Sequence, residues 1–186
     1  WSSDVCSSDL RELEGLPQQK GFLSAPFDTR IQIKENGLKF HVDLDQGQKT
    51  GYFLDQQDNR AMIRPMVKNA EVLGAFCYTG SFEIAAACFG AKSVTGLDIS
   101  QAAIDMCNKN ALLNQVQQVC DFQCVNAFDM LKNLSKGDRQ WDVVMLDPPS
   151  FTKSRSNISK AAAGYKEINL RGIKLVRPRS EEHTSE

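Results

Sequence analysis

Between Glu71 and Leu146 the chain alternates short apolar runs with segments of helical spacing, and no other feature restricts its fold as much. Val72 to Phe76, Ser93 to Leu97, Asp121 to Val125 and Val143 to Leu146 read as strands. Between them lie three helical segments. Ser81 to Phe89 is Ala-rich and closed by Gly90; Ser100 caps a helix running to about Asn114 with Ala103, Met106, Cys107, Asn110 and Leu113 at helical spacing; Phe128 to Leu134 is the third. Repeated strand-helix units imply a parallel sheet covered on both faces, because parallel strands need a crossover and a helix supplies it. The expected fold class is therefore α/β, with a Rossmann-like sheet.

Upstream the pattern differs. Ile31 and Ile33 alternate with polar residues, Asn36-Gly37 follows, and Leu38, Phe40, Val42 and Leu44 alternate again, which predicts a β-hairpin with a tight turn. A polar, glycine-punctuated stretch from Gln46 to Arg60 leads into a short helix from near Asp58 to Asn69, and Pro65 should kink or shorten it. After Pro149 comes a basic, serine-rich loop and then a helix from about Tyr165 to Val176.

The two ends do not share this patterning. Trp1 to Leu10 and Arg179 to Glu186 are rich in Ser, Asp and Glu, and they resemble opposite-strand translations of one sequencing adapter. They are expected to be scars, with residues 11–55 a remnant of a β-rich element and residues 56–178 a truncated catalytic domain. Setting the ends aside removes five carboxylates and one arginine, four net negative charges, and turns the formal charge of the chain from −1 to +3. A mildly basic domain is compatible with an RNA partner. No run approaches the roughly 18 consecutive apolar residues of a membrane span, so a cytoplasmic location with no membrane partner is expected. Cys77, Cys88, Cys107, Cys120 and Cys124 show no CxxC pairing, and the reading is buried free thiols with no metal.

In a parallel α/β sheet, ligands sit beyond the carboxyl ends of the strands. The first strand is followed by Phe76-Cys77-Tyr78-Thr79-Gly80-Ser81-Phe82, which carries one glycine rather than a GxGxxG run. A single glycine suits a cofactor bearing a small zwitterion rather than a diphosphate, and S-adenosylmethionine (SAM) is such a cofactor. The second strand is followed by Asp98, eighteen positions after Gly80, where a carboxylate can accept both ribose hydroxyls. Asn126 follows the third strand and can accept from an adenine amino group. The fourth is followed by Asp147-Pro148-Pro149-Ser150-Phe151, whose prolines hold an extended turn that presents Asp147 to a planar substrate.

These stretches, together with Glu14 to Gln19 (EGLPQQ), Gly47 to Arg60 (GQKTGYFLDQQDNR), Leu97 to Ser100 (LDIS) and Gly164 to Asn169 (GYKEIN), resemble the 23S rRNA large-subunit methyltransferase I family. The resemblance implies a class I SAM-dependent methyltransferase domain and formation of 5-methylcytosine in 23S rRNA. It implies cofactor contacts from Gln56, Arg60, Phe76, Tyr78, Thr79, Gly80, Asp98, Ile99, Asn126, Ala127 and Asp147. The substrate side falls to Asp147, which orients the base, with Pro148, Pro149 and Phe151. Three positions depart from the family pattern: Ser81 replaces a second glycine, Asn126 an acidic residue, and Pro65 interrupts a helix.

Cytosine C5 is a weak nucleophile, so a cysteine thiolate must first add to C6. The resemblance places that cysteine on the strand after the GYKEIN helix, and no cysteine follows Cys124 in this chain. Cys77, at the end of the first strand, should face cofactor or core rather than substrate. Lys49, Arg60, Lys153, Arg155 and Lys160 are candidate phosphate contacts. Two other readings stay open: methylation of an exocyclic amine, which needs no covalent nucleophile, and a SAM- or RNA-binding module without catalysis. The expected sheet lacks its later strands and exposes an edge, which favours poor solubility.

Overall fold

A computed structural model describes Gly15, residues 25–45, Gly47, residues 51–151 and residues 158–178. Both end segments, most of the Glu14 to Gln19 stretch, Lys49, Lys153 and Arg155 lie outside the described residues. The chain divides into two units, Trp1–Asp58 and Asn59–Glu186.

In the first unit, strands β1 (Arg30–Glu35) and β2 (Leu38–Asp43) pair antiparallel, from Glu35 opposite Leu38 to Arg30 opposite Asp43. Asn36 and Gly37 take φ values of 51° and 86°, the left-handed pair that a two-residue hairpin turn demands. Phe40 and Val42 are buried on one face, and the Tyr52 ring lies 5.4 Å from that of Phe40. The Tyr52 hydroxyl donates to Glu35 Oε1 at 3.2 Å, which satisfies the buried carboxylate. A 3-10 turn (Leu54–Gln56) ends this unit, and helix α1 (Gln57–Met62) crosses the division.

The expected helix from Asp58 to Asn69 forms as two pieces, α1 and α2 (Arg64–Val67). Pro65 stands in the first turn of α2, where its missing N–H costs nothing, so the break falls just before it.

Among the described residues of the second unit, β3 (Glu71–Ala75), β4 (Ser93–Asp98), β5 (Cys120–Cys124) and β6 (Val143–Leu146) form one parallel sheet in the order β5-β4-β3-β6. Helices α3 (Ser81–Cys88), α4 (Gln101–Leu113), α5 (Ala127–Leu134) and α6 (Ile158–Leu175) follow the strands in turn. Strand alternation sends Val72 and Val94 to one face, against Val67, Ala86, Ala87 and Ala91. It sends Leu73, Ala75 and Leu97 to the other, against Leu131, Trp141, Ile168 and Leu175. Both layers are apolar because both sheet faces are covered. Each fully buried large side chain contributes about 1.5–3 kcal/mol.

The first strand stops one residue earlier than expected, because Phe76 has φ 65° and leaves the extended region. Helix α6 begins at Ile158 rather than near Tyr165, since Lys160, Ala161, Ala162 and Ala163 are strong helix formers ahead of Gly164. Beyond α6, Val176 makes a parallel bridge with Trp141, with N–H donations from Trp141 to the Leu175 carbonyl and from Arg177 to the Trp141 carbonyl, both at 2.8 Å. No helix among the described residues is long and apolar enough to cross a membrane.

Candidate cofactor site

The register of the sheet lines up the residues that follow its strands. Ala75 pairs with Leu97 on one side and Leu146 on the other, so Phe76, Asp98 and Asp147 stand level at the carboxyl end. The chain runs from β3 outward through β4 and β5 and then crosses to β6 on the other side of β3, and that switch point is where an open α/β sheet holds a ligand.

The turn from Phe76 to Gly80 has an uncommon backbone. Phe76, Tyr78 and Gly80 have φ values of 65°, 48° and 77°, and two of the three are not glycine. The surrounding structure supplies the compensation. Cys77 N–H donates to the Leu97 carbonyl at 3.0 Å, and Gly80 N–H to the Cys77 carbonyl at 2.8 Å. Tyr78 N–H donates to Asp98 Oδ2 at 2.9 Å, while Ser100 N–H donates to the other oxygen, Oδ1, also at 2.9 Å. From α4, Cys107 Sγ donates to the Tyr78 carbonyl at 3.0 Å and Asn110 Nδ2 to the Thr79 carbonyl at 3.1 Å. Cys107 and Asn110 are both 0% exposed, so the donor side of each bond is sheltered from competing water while the Tyr78 and Thr79 acceptors are half-buried.

Sequence reasoning read Cys107 and Asn110 only as members of an apolar helical face. Asn110 carried a usable signal, since a polar amide in a buried stripe needs a buried partner. It also missed Glu83, in the first turn of α3, which is 3% exposed and pushed up to about 8 by burial and by the Asp147 and Asp98 carboxylates.

The other expected site residues divide into two groups. Asp98 is half-buried, Ile99 exposed, Ala127 buried, and Asp147 exposed with its N–H toward the Ala75 carbonyl at 3.4 Å. Asn126 is exposed and caps α5, its Oδ1 accepting from Phe128 N–H at 3.0 Å, so the oxygen expected to meet adenine already serves the helix. Gln56 is half-buried at the end of the 3-10 turn in the first unit. Arg60 is 1% exposed with its guanidinium 5.6 Å from the Phe82 ring centre, which corrects its reading as a surface phosphate contact. Lys160 is exposed.

Phe151 does not present a bare ring. Its centre lies 5.6 Å from Phe128 and 4.3 Å from Tyr165, and Phe128 is in turn 5.1 Å from Phe76. A Cβ on Gly164 would come within 3.0 Å of the Phe151 ring, so the glycine of the GYKEIN segment lets helix and loop close. Pro148 and Pro149 are half-buried beside it. This aromatic row ties the turn after β3 to the loop after β6.

The five described cysteines are free. Cys77 and Cys107 are buried with sulfurs 4.0 Å apart, and the Cys77 thiol is pushed up by its contact with Cys107 and by burial. Cys77 therefore faces the core, as its position implied, and is a poor nucleophile. Cys88 and Cys120 are half-buried and raised by burial, Cys120 to about 12. Cys124 is exposed, contrary to the reading of all five as buried. Maleimide labelling of the folded chain should modify Cys124 before Cys77 and Cys107, as read by peptide mass spectrometry; labelling of Cys77 at the Cys124 rate would show that the turn opens. Among the described residues no group of three or more His, Cys, Asp or Glu is arranged to hold a metal ion.

The donor set fits SAM. A Cβ at Gly80 would fall 3.0 Å from Cys107 Sγ, so the residue must stay bare, and the turn carries no second glycine of the kind a diphosphate requires. Each Asp98 oxygen takes one backbone N–H and keeps a further lone pair for a ribose hydroxyl. A parallel sheet with a one-glycine turn, a carboxylate after the next strand and Asp-Pro-Pro after the neighbour on the other side defines a Rossmann-like SAM-dependent transferase.

The profile of the family described as S-adenosylmethionine-dependent methyltransferase matches residues 19–180, and the chain belongs to that family. It is 39% identical over 176 residues to the ribosomal RNA large subunit methyltransferase I of Alteromonas mediterranea and 37% identical over 177 to that of Pseudoalteromonas atlantica. The alignments take in 94% and 95% of this chain, which spans 44% of the length of each relative. Among solved structures, a methyltransferase complexed with SAH superposes with a TM-score of 0.73 at 25% identity, over 84% of this chain and 42% of that one. The SAM-dependent methyltransferase from Agrobacterium tumefaciens gives the same TM-score at 20% identity, over 85% and 52%, and shares the fold.

Proposed function

We propose that this chain carries the cofactor half of an enzyme that methylates C5 of a cytosine in 23S rRNA. The observation that carries the reading is the level arrangement of Asp98 and Asp147 on either side of the turn after β3, in a chain 35–39% identical to ribosomal RNA large subunit methyltransferase I proteins. SAM supplies an electrophilic methyl group when bound. The turn from Phe76 to Gly80 receives the amino acid end of the cofactor with its backbone groups, and Asp98 accepts from the ribose hydroxyls. Ile99, Asn126 and Ala127 line the adenine end.

Asp147, exposed at the end of β6, orients the base through its N3/N4 edge. Pro148 and Pro149 hold the backbone that carries it, and Phe151, packed between Phe128 and Tyr165, braces the loop rather than stacking on the base. Among the described cysteines, Cys77 and Cys107 are buried together, and Cys124 lies at the end of β5, paired with Asp98 rather than placed beside Asp147, with its Sγ donating to the Ile99 carbonyl at 3.4 Å. In this reading the nucleophile belongs to sequence beyond the GYKEIN helix. Location in the cytoplasm, where ribosomal RNA is modified, is part of the same proposal.

The test is transfer of labelled methyl from SAM to unmodified 23S rRNA, with the product nucleoside identified by mass spectrometry. The 186-residue chain should give no product, and a chain extended through a cysteine on the following strand should give 5-methylcytosine. Product from the 186-residue chain, or a methyl group on the exocyclic nitrogen, would overturn the C5 reading.

A further inference from the structure

Glu83 has no part in the site as described so far, yet its surroundings are not those of a purely structural group. It is the third residue of α3, 3% exposed, and its Oε2 has no hydrogen-bond partner among the described residues. Its other oxygen occupies the space over Gly74 in β3 that any other residue would fill with a Cβ. Gly74 lies one residue before the end of β3, paired with Gly96 and Met145, so the carboxyl sits directly beneath the level of Phe76, Asp98 and Asp147.

Burial raises the carboxyl, to about 8, against a hydrogen bond from its own backbone N–H that lowers it, and the charged groups that act on it from the adjoining strand ends are both acids. Asp98 closes β4 and Asp147 follows β6, and both hold the proton on Glu83. Cys77 after β3 and Cys120 in β5 feel its charge in turn, and Cys107 of α4 is the neighbour of Cys77. The free protein thus keeps a neutral carboxyl under a cleft walled by two carboxylates.

SAM and its product differ in charge where this matters. The cofactor carries a sulfonium, an ammonium and a carboxylate, a net of one positive charge; after methyl transfer the sulfur is a neutral thioether and the net charge is zero. A cation placed between Asp98 and Asp147 acts on Glu83 through the same low-dielectric path as those carboxylates, with the opposite sign.

We propose that Glu83 is a positioning residue that reads cofactor charge: its O–H bond breaks and the proton leaves to solvent when SAM binds, and it stays protonated when the thioether product is bound. The site then holds SAM with three carboxylates and the product with two, which favours product release. The inference rests on the cofactor placement proposed above.

Titration calorimetry of the 186-residue chain with SAM and with S-adenosylhomocysteine, each in two buffers of different protonation enthalpy, counts the protons directly. The amino group of each ligand also titrates near neutral pH, so the quantity read is wild type minus Glu83→Gln. At pH 7 the wild type should release close to one proton more than the variant with SAM, and none more with the product. SAM affinity of the wild type relative to the variant should rise about tenfold from pH 7 to pH 9, while the same ratio for the product stays flat. Equal proton counts for the two ligands, or no difference between wild type and variant, would overturn the inference. If SAM binding falls in Asp98→Ala and yet no proton is released, the cofactor site stands and this role of Glu83 falls. Binding indifferent to both substitutions removes the site and the role together.

Discussion

Between pH 6 and pH 8.5 the folded chain loses stability, and Glu83→Gln abolishes most of that loss. The sign follows from the direction in which burial moves the carboxyl. Glu83 is raised from 4.5 to about 8 in the folded protein, so its contribution is fully present below the unfolded value and is lost as pH rises through the folded one. At pH 7 the unfolded chain holds an ionised, hydrated glutamate while the folded chain must keep a proton on it. Each tenfold change in proton affinity between the two states corresponds to about 1.4 kcal/mol, which sets an upper bound of about 5 kcal/mol for the full rise from 4.5 to about 8, roughly half of it falling between pH 6 and pH 8.5. Gln is the uncharged counterpart of the protonated acid and has nothing to lose.

Other groups do not mimic this slope. Glu71 is lowered by its hydrogen bond to Lys92 and by the charges of Lys92 and Arg177, so its contribution is lost on the acid side, as pH falls below the ordinary carboxylate range. Cys77, Cys88 and Cys120 are raised from a starting value of 9.0 and act at higher pH. Urea unfolding midpoints at pH 6, 7, 8 and 8.5 read the effect, and parallel curves for wild type and variant would show that Glu83 ionises freely.

Asp98→Ala should weaken SAM binding by about 10²- to 10³-fold and loosen the turn that receives the cofactor. The carboxylate has two tasks that meet in the same atoms: Oδ2 takes Tyr78 N–H, Oδ1 takes Ser100 N–H, and each oxygen has a lone pair left over. Hydrogen bonds to a charged group contribute about 1.5–3 kcal/mol each, so losing two to ribose and disturbing two to backbone exceeds any single polar truncation in this site. Tyr78 is held at φ 48°, and without its partner that conformation is no longer supported. Asp98→Asn keeps one acceptor and should fall between alanine and wild type. Calorimetry showing unchanged affinity for Asp98→Ala would remove the ribose assignment.

The parts of this molecule that follow from local rules were legible. Asn36-Gly37 specifies its turn by backbone preference alone, Ser100 caps α4 through its side chain to Ala103 N–H at 3.3 Å, and the strand ends place Asp98 and Asp147 on one level. What escaped depends on where a side chain turns after the chain has folded. Glu83 stands in the first turn of α3, ahead of Ala85, Ala86 and Ala87, where the helix dipole favours a solvated acid. It goes inward because Gly74, nine positions earlier and on another element, leaves a hole of its size. Arg60 misleads in the same way, since an arginine in a polar stretch gives no sign that Phe82 and the core will cover it. Phe151 sits in a motif that points to the substrate, yet Gly164 and Tyr165 from the following helix take up its ring.

The bonds that shape the cofactor turn also set a sequence of events. Tyr78 and Thr79 are fixed by Asp98, Cys107 and Asn110, partners that lie 20, 29 and 31 residues further along the chain. On a ribosome, which emits the chain from its amino end, the residues of the turn emerge well before anything that can hold them in their left-handed backbone. The turn takes its shape only when β4 and α4 have been made and docked, and by then residues 71–113 contain every one of these contacts. A receiving turn for SAM can therefore mature co-translationally as one closed segment, ahead of the strand that brings Asp147.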